Sequence, residues 1–401
     1  MNRYIYTLVF IIIIVTIILL LFLQQPPKQQ QQQQQSFDLH QKVKKININF
    51  NQSLVTDDYD NDEDKDSEHH HHKLMIQMDP FKRAVHRRYI GLEKENNCEW
   101  KGPFRFIQAA DTQYGMIHQF QTISYNQASY DESRPRIDEY KRSAIGEWHE
   151  EMRLSTLAIE QWNQMKPKPR FVVICGDLVN DFPGEALRRR QLNDFKETFA
   201  KHLDQSIPLI LLPGNHDILD RPTVDSIEKY RQEFGDDYFA FWVDGVMFLV
   251  INAQYYKDNT MTKEMAAHHE RWIDSKLSEA NEHDYKHIIV FQHIPWFIHD
   301  PDEPDDEIFN IAIDERKRML KKFNDNGIRA IFCGHYHRNA GGHFEQMELI
   351  VTSAMGAQIP PIDRREIARK SGYRIVHVDE HRLQHEYVEI EPTISSTTAT
   401  T

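Results

Sequence analysis

The sequence predicts a layered α/β fold, and three observations carry that reading. Apolar runs of strand length alternate with helix-length stretches between residues 103 and 390. Four of those runs, at 171–175, 209–212, 288–291 and 330–333, end in short strings built from Gly, Asp, Asn and His. Asp244-Gly245 separates two further runs and signals a hairpin turn.

The elements follow in order. A strand at 104–109 precedes a helix at 144–165, a strand at 171–175 and a helix at 185–203. A strand at 208–212 and a helix at 224–234 come next, then the antiparallel pair 238–243 and 246–252. A helix at 269–280, a strand at 287–292, a helix at 314–326 and a strand at 328–333 complete the alternation. Segments 349–353, 373–378 and 386–390 read as further strands, and 391–401 as a polar tail.

Ahead of this domain the composition changes. Residues 4–23 are apolar and long enough to span a bilayer as a helix, with no small-x-small cleavage site behind them. The expectation is a membrane protein with a single-pass anchor at 1–23. Residues 24–100 read as a flexible, disordered tether, carrying a polyglutamine run, an acidic run and four consecutive histidines. The 401-residue chain has a formal net charge of -13, so no nucleic-acid partner is expected. Bound cations can still draw an acidic substrate to such a chain. Its three cysteines, Cys98, Cys175 and Cys333, give no disulfide framework.

Chemistry concentrates in the strand-end strings: Gly176-Asp177, Gly214-Asn215-His216-Asp217, His293 and Gly334-His335-Tyr336-His337. A dinuclear site needs one anionic ligand shared by both ions, and the two oxygens of Asp177 suit that role. Asn215 offers a neutral oxygen, while His293, His335 and His337 offer imidazole nitrogens, which fit zinc, iron or manganese better than calcium. His216 reads as the acid for the departing oxygen, with Asp217 holding its ring. A single histidine near an apolar run is usually a satisfied polar group. The joint occurrence, each after a strand-like run, points to a metal site.

With Asp111-x-Gln113 added, these strings resemble the calcineurin-like metallophosphoesterase superfamily across residues 103–390. The resemblance implies a four-layer α/β/β/α sandwich and two divalent cations, drawn from manganese, zinc, iron and magnesium. It implies a first ion on Asp111, Asp177 and His337 with Gln113, and a second on Asp177, Asn215, His293 and His335. The superfamily usually has His where this chain has Gln113, which suggests a looser first site. The arginine that follows the bridging Asp in the main phosphoprotein phosphatases is missing, so Arg338 and Asn339 become the candidates to grip phosphate. An exposed acidic loop is expected at 300–307, near the pocket mouth.

The expected activity is hydrolysis of a phosphomonoester by a metal-bridging hydroxide, with a phosphoserine or phosphothreonine protein as the substrate that the resemblance implies. Two rivals stay open: a phosphodiesterase acting on nucleotides or phospholipid head groups, and a non-catalytic scaffold suggested by Gln113.

Overall fold

The apolar runs pair into two sheets in the computed structural model, which describes residues 82–119, 148–356, 358 and 370–390. In chain order the first strands are β1 (Ala84–Val85), β2 (Arg88–Tyr89), β3 (Phe104–Ala109), β4 (Val172–Cys175), β5 (Leu209–Leu212), β6 (Phe239–Val243) and β7 (Val246–Val250). There follow β8 (His287–Phe291), β9 (Ile328–Cys333), β10 (Ala340–Phe344), β11 (Met347–Val351), β12 (Gly372–Val378) and β13 (Leu383–Glu389). The helices are α1 (Lys94–Asn97), α2 (His149–Gln164), α3 (Arg188–His202) and α4 (Asn215–Ile218). After them come α5 (Val224–Phe234), α6 (Gln254–Lys257), α7 (Lys263–Asn281) and α8 (Ile313–Asp325).

One sheet has the order β1-β2-β6-β7-β8-β9-β11-β10 and the other β13-β12-β3-β4-β5. Strands β3, β4 and β5 are parallel in one, and β7, β8 and β9 are parallel in the other. Asp244 and Gly245 both take positive φ, 47° and 82°, and join β6 to β7 as the expected hairpin.

Three apolar clusters order the layers. Between the sheets, Phe106 stacks on Phe171 at 4.7 Å and meets Phe248 and Phe291 edge-on at 5.6 and 5.7 Å. Trp162 of α2 and Phe195 and Phe199 of α3 cover the outer face of the five-stranded sheet. Ile273 and Leu277 of α7, with Met319, Leu320 and Phe323 of α8, cover the other. Each such side chain contributes roughly 1.5–3 kcal/mol on burial.

Two expectations are corrected here. Among the described residues no helix is long and apolar enough to cross a membrane, so the membrane localisation and partner read from 4–23 do not stand. Residues 1–81 and 391–401, with the apolar run, most of the tether and the polar tail, lie outside the described residues. The tether's end at residue 100 also moves back. Residues 84–97 form β1, β2 and α1, tied on by Asp236 N–H to Ala84 O (2.9 Å), Ala240 N–H to Arg87 O (3.1 Å) and Gly245 N–H to Asn97 O (2.8 Å). Polar composition hid them, because two-residue strands carry no alternating pattern. The edge strand β10 went unseen because its two adjacent glycines interrupt any strand pattern.

Candidate metal centre

Parallel strands that end together bring loops from both sheets to one edge. Asp111 follows β3, Asp177 follows β4, Asn215 follows β5, His293 follows β8, and His335 follows β9. The backbone there is unusual. Asp111, Gln113, Asp177, His335 and His337 all have positive φ, between 40° and 70°. Such residues cost on the order of 1–3 kcal/mol each and persist only where their surroundings hold them. His335 and His337 themselves make the turn after β9. Gly334 supplies room instead: a Cβ there would sit 2.6 Å from Asp111 Oδ2. A Cβ on Gly214 would come within 2.1 Å of Asp177 Oδ1.

Hydrogen bonding fixes which atoms face inward. His293 Nδ1 lies 2.7 Å from the Cys175 carbonyl and His335 Nε2 lies 2.8 Å from that of Ile308. Carbonyls only accept, so those nitrogens carry the protons, and His293 Nε2 and His335 Nδ1 carry lone pairs. The Asn215 amide nitrogen donates to Asp220 at 2.9 Å, which turns its oxygen the same way. Around His293 Nε2 stand Asn215 Oδ1 at 3.1 Å, Asp177 Oδ2 at 3.2 Å and His335 Nδ1 at 3.2 Å. Four acceptors thus face one another with no donor between them.

A positive charge must resolve that crowding. Left to protons alone, the cluster keeps an extra one on His293. Burial lowers its pKa, yet the Asp177 carboxylate lifts it to about 9. Burial and the His293 charge push His335 down to about 3. Burial acts to raise Asp177, but His293 and His216 hold it well below the usual carboxylate range. The donor set, one carboxylate, one amide oxygen and two imidazoles, fits a divalent transition-metal cation in place of that proton.

Beside this group, Asp111 accepts the His335 N–H on both oxygens (3.1 and 3.0 Å) and stands 3.5 Å from His337 Nε2. Gln113 Oε1 is buried with no hydrogen-bond partner, so its lone pairs are available to a cation. Ligand atoms of Asp177, His293 and His335 gather within 4.8 Å of one another, and Asp111 and His337 stand beside them.

Two assignments change. The His216 ring is not held by Asp217; its Nδ1 bonds the Asn180 carbonyl, and Phe182 stacks on it at 4.4 Å. Asp217 instead accepts the N–H groups of Gly214 (2.8 Å) and Leu178 (3.3 Å), because α4 turns its carboxylate back over the helix start. Burial and Asp177 raise Asp217 to about 6, against the pull of Arg188. Asn339 uses its oxygen to accept from Arg374 (2.9 Å) and the Ser353 N–H (3.3 Å), a bracing contact rather than a phosphate one. Arg338 lies over the Tyr336 ring at 5.2 Å.

The acidic loop is built rather than merely solvated. Glu303 accepts the N–H groups of Ile298, His299 and Asp300, and buried Arg316 donates to the Pro301 and Glu303 carbonyls. That loop presents Ile308 O to His335. Sequence reasoning missed Cys175, Asn180 and Ile308 because they act through backbone carbonyls.

Comparison with known proteins agrees with this geometry. The profile of the calcineurin-like phosphoesterase family matches residues 104–339. The chain belongs to that family. It is 40% identical to the serine/threonine-protein phosphatase CPPED1 of Danio rerio over 307 residues, 77% of this chain and 91% of that one. It is 37% identical to the Homo sapiens CPPED1, over 78% of this chain and 91% of the other. A probable glycerophosphodiester phosphodiesterase, GpdQ of Arcobacter nitrofigilis, is 25% identical over 52% of this chain and 70% of its own length.

Proposed function

We propose that this chain is a metal-dependent phosphomonoester hydrolase whose substrates are phosphoserine and phosphothreonine in proteins. The catalytic unit is residues 103–390, with 82–100 completing its larger sheet. The observation that carries the reading is the convergence of Asp177, Asn215, His293 and His335, four acceptors that only a cation or an extra proton reconciles. The length and identity of the match to CPPED1 favour a protein phosphatase over the diesterase, whose relative matches about half of the chain.

We assign one cation to Asp177, Asn215, His293 and His335, and a second to Asp111, Asp177 and His337 with Gln113. An amide oxygen is a harder donor than imidazole, so the second position favours manganese or magnesium over zinc. When bound, such a pair supplies Lewis acidity and an activated water. The residues of the chain then orient and protonate. Asp177, with two carboxylate oxygens, would be shared by both positions. His216 has Nδ1 committed to Asn180 O, which leaves Nε2 to give a proton to the departing oxygen. Arg338 is the cation we assign to the phosphoryl oxygens.

Purified full-length protein loaded with manganese or zinc should hydrolyse a phosphoserine peptide faster than bis-p-nitrophenyl phosphate. Faster diester hydrolysis would favour the phosphodiesterase rival. No metal-dependent turnover with any of several divalent ions would leave a binding scaffold. His216→Ala should lose about 10²–10⁴-fold in kcat and keep its metal; substantial metal loss would remove His216 from the acid role.

A further inference from the structure

We propose that Arg188 is the positioning residue for the proton donor. It locks the turn after Asp177 to the turn carrying His216, and the inference rests on reading His216 as the acid.

Arg188 opens α3, with its side chain 12% exposed. Its Nη1 donates to the carbonyls of Asp181 and, at 2.9 Å, His216; its Nη2 donates to the carbonyl of Asp217 at 3.1 Å. The Asp217 carboxylate is farther, at 4.0 Å. A largely enclosed guanidinium with its short contacts on neutral carbonyls is an expensive arrangement, and desolvation lowers its pKa. Packing alone gives no reason for it. Joining two turns does.

Those carbonyls belong to the residues that define the His216 ring contact. One is the carbonyl of His216 itself. Another belongs to Asp181, the residue after Asn180, whose own carbonyl receives the ring Nδ1. Arg188 therefore fixes the donor residue and the neighbour of the acceptor residue together. Gln191, one turn along α3, reinforces the second point: it donates to Asp181 Oδ1 (2.8 Å) and accepts the Asp181 N–H (2.9 Å).

The need follows from the site. A catalytic imidazole is often aimed by a carboxylate on its second nitrogen, and here Asp217 is turned away. A main-chain carbonyl aims the ring only as well as its turn is held. The rigid, multi-donor fork of arginine can hold three carbonyls at once, which a lysine ammonium cannot do in the same plane.

The test compares Arg188→Lys, Arg188→Met and His216→Ala in the full-length metal-loaded protein, on two esters. Phenyl phosphate needs a proton for its poor leaving group, and 2,4-dinitrophenyl phosphate does not. We expect each Arg188 variant to lose roughly 10–100-fold in kcat on phenyl phosphate and less than about 3-fold on the dinitrophenyl ester. KM and metal per chain should stay unchanged. His216→Ala should show the same pattern at larger size. If His216→Ala lowers both esters equally, the acid assignment falls, and this inference with it. If His216→Ala discriminates and the Arg188 variants do not, or if those variants lose metal, Arg188 is only a brace. Should Arg188→Met fail to fold, Gln191→Leu, which loosens Asp181 alone, must show a smaller loss confined to phenyl phosphate.

Discussion

Two buried carboxylates, Asp177 and Asp237, look alike in burial and differ in what surrounds them. Asp237 Oδ1 receives Arg231 Nε at 2.9 Å and Arg87 Nη1 at 3.1 Å, and Oδ2 receives Asn252 Nδ2 and Tyr255 OH at 3.0 Å each. Burial works against its charge, but Arg231 and Arg87 hold its pKa below the ordinary value. Acceptors and donors balance there, and the cluster ties α5 and the turn before β2 to the segments flanking β6 and β7. Around Asp177 the balance fails, because an amide oxygen and two imidazole lone pairs share its space. A balanced buried charge is a structural joint. An unbalanced set of acceptors is a place for a cation.

The sharpest way to break this contrast is Asp177→Asn. Turnover should fall by at least about 10³-fold, some 4 kcal/mol of transition-state stabilisation. Without added metal, the variant should fall less in melting temperature than an Asp237 variant, since the His293 proton that loses its carboxylate can leave, whereas an arginine cannot shed its charge. A metal-free melting temperature lowered as far as that of an Asp237 variant would erase the distinction.

Asp237→Asn should do the reverse. Urea unfolding should report a loss of about 3–5 kcal/mol, because two arginines are left facing an amide. Metal per folded chain should match the parent. A change in metal content would join the two clusters into one functional unit.

Metal itself should move stability less. Manganese at about a hundred times its Kd should add roughly 2.7 kcal/mol, and His335→Ala should remove most of that gain. An undiminished gain in His335→Ala would place the cation elsewhere.

The smallest effect lies beside the balanced cluster. Buried His269 sits among Tyr238, Tyr255 and Trp272, and burial pushes its pKa down to about 3 despite Asp237. An unfolded histidine titrates near 6.5, so below that pH the unfolded chain binds the proton and the folded one does not. Stability contributed by the neutral ring is present above about pH 6.5 and lost as pH falls toward 3. Between pH 6.5 and 5 the loss should be about 1.6 kcal/mol, and His269→Leu should flatten it.

Much of the site was legible because the candidate ligands lie at the ends of strands, where local pattern announces them. Asp177, Asn215, His293 and His335 needed only apolar runs and the glycines beside several of them, whereas Asp111 entered only with the family resemblance. Asp217 was misread because its place beside His216 suggested a pair, whereas α4 sends the two side chains apart. Asn339 was misread because its donor, Arg374, is 35 residues away and on the other sheet. The apolar run at 4–23 satisfied a length rule, and length alone does not put a chain in a membrane.

By itself the chain determined most of the strands, the hairpin at Asp244-Gly245 and the side chains proposed here as ligands, since periodicity and donor chemistry are local. Only the tertiary structure decided which ring nitrogen faces inward, what aims His216, and that residues 84–97 join the larger sheet. Those outcomes depend on carbonyls and partners from distant segments, and a main-chain oxygen is the same atom whatever letter the sequence writes.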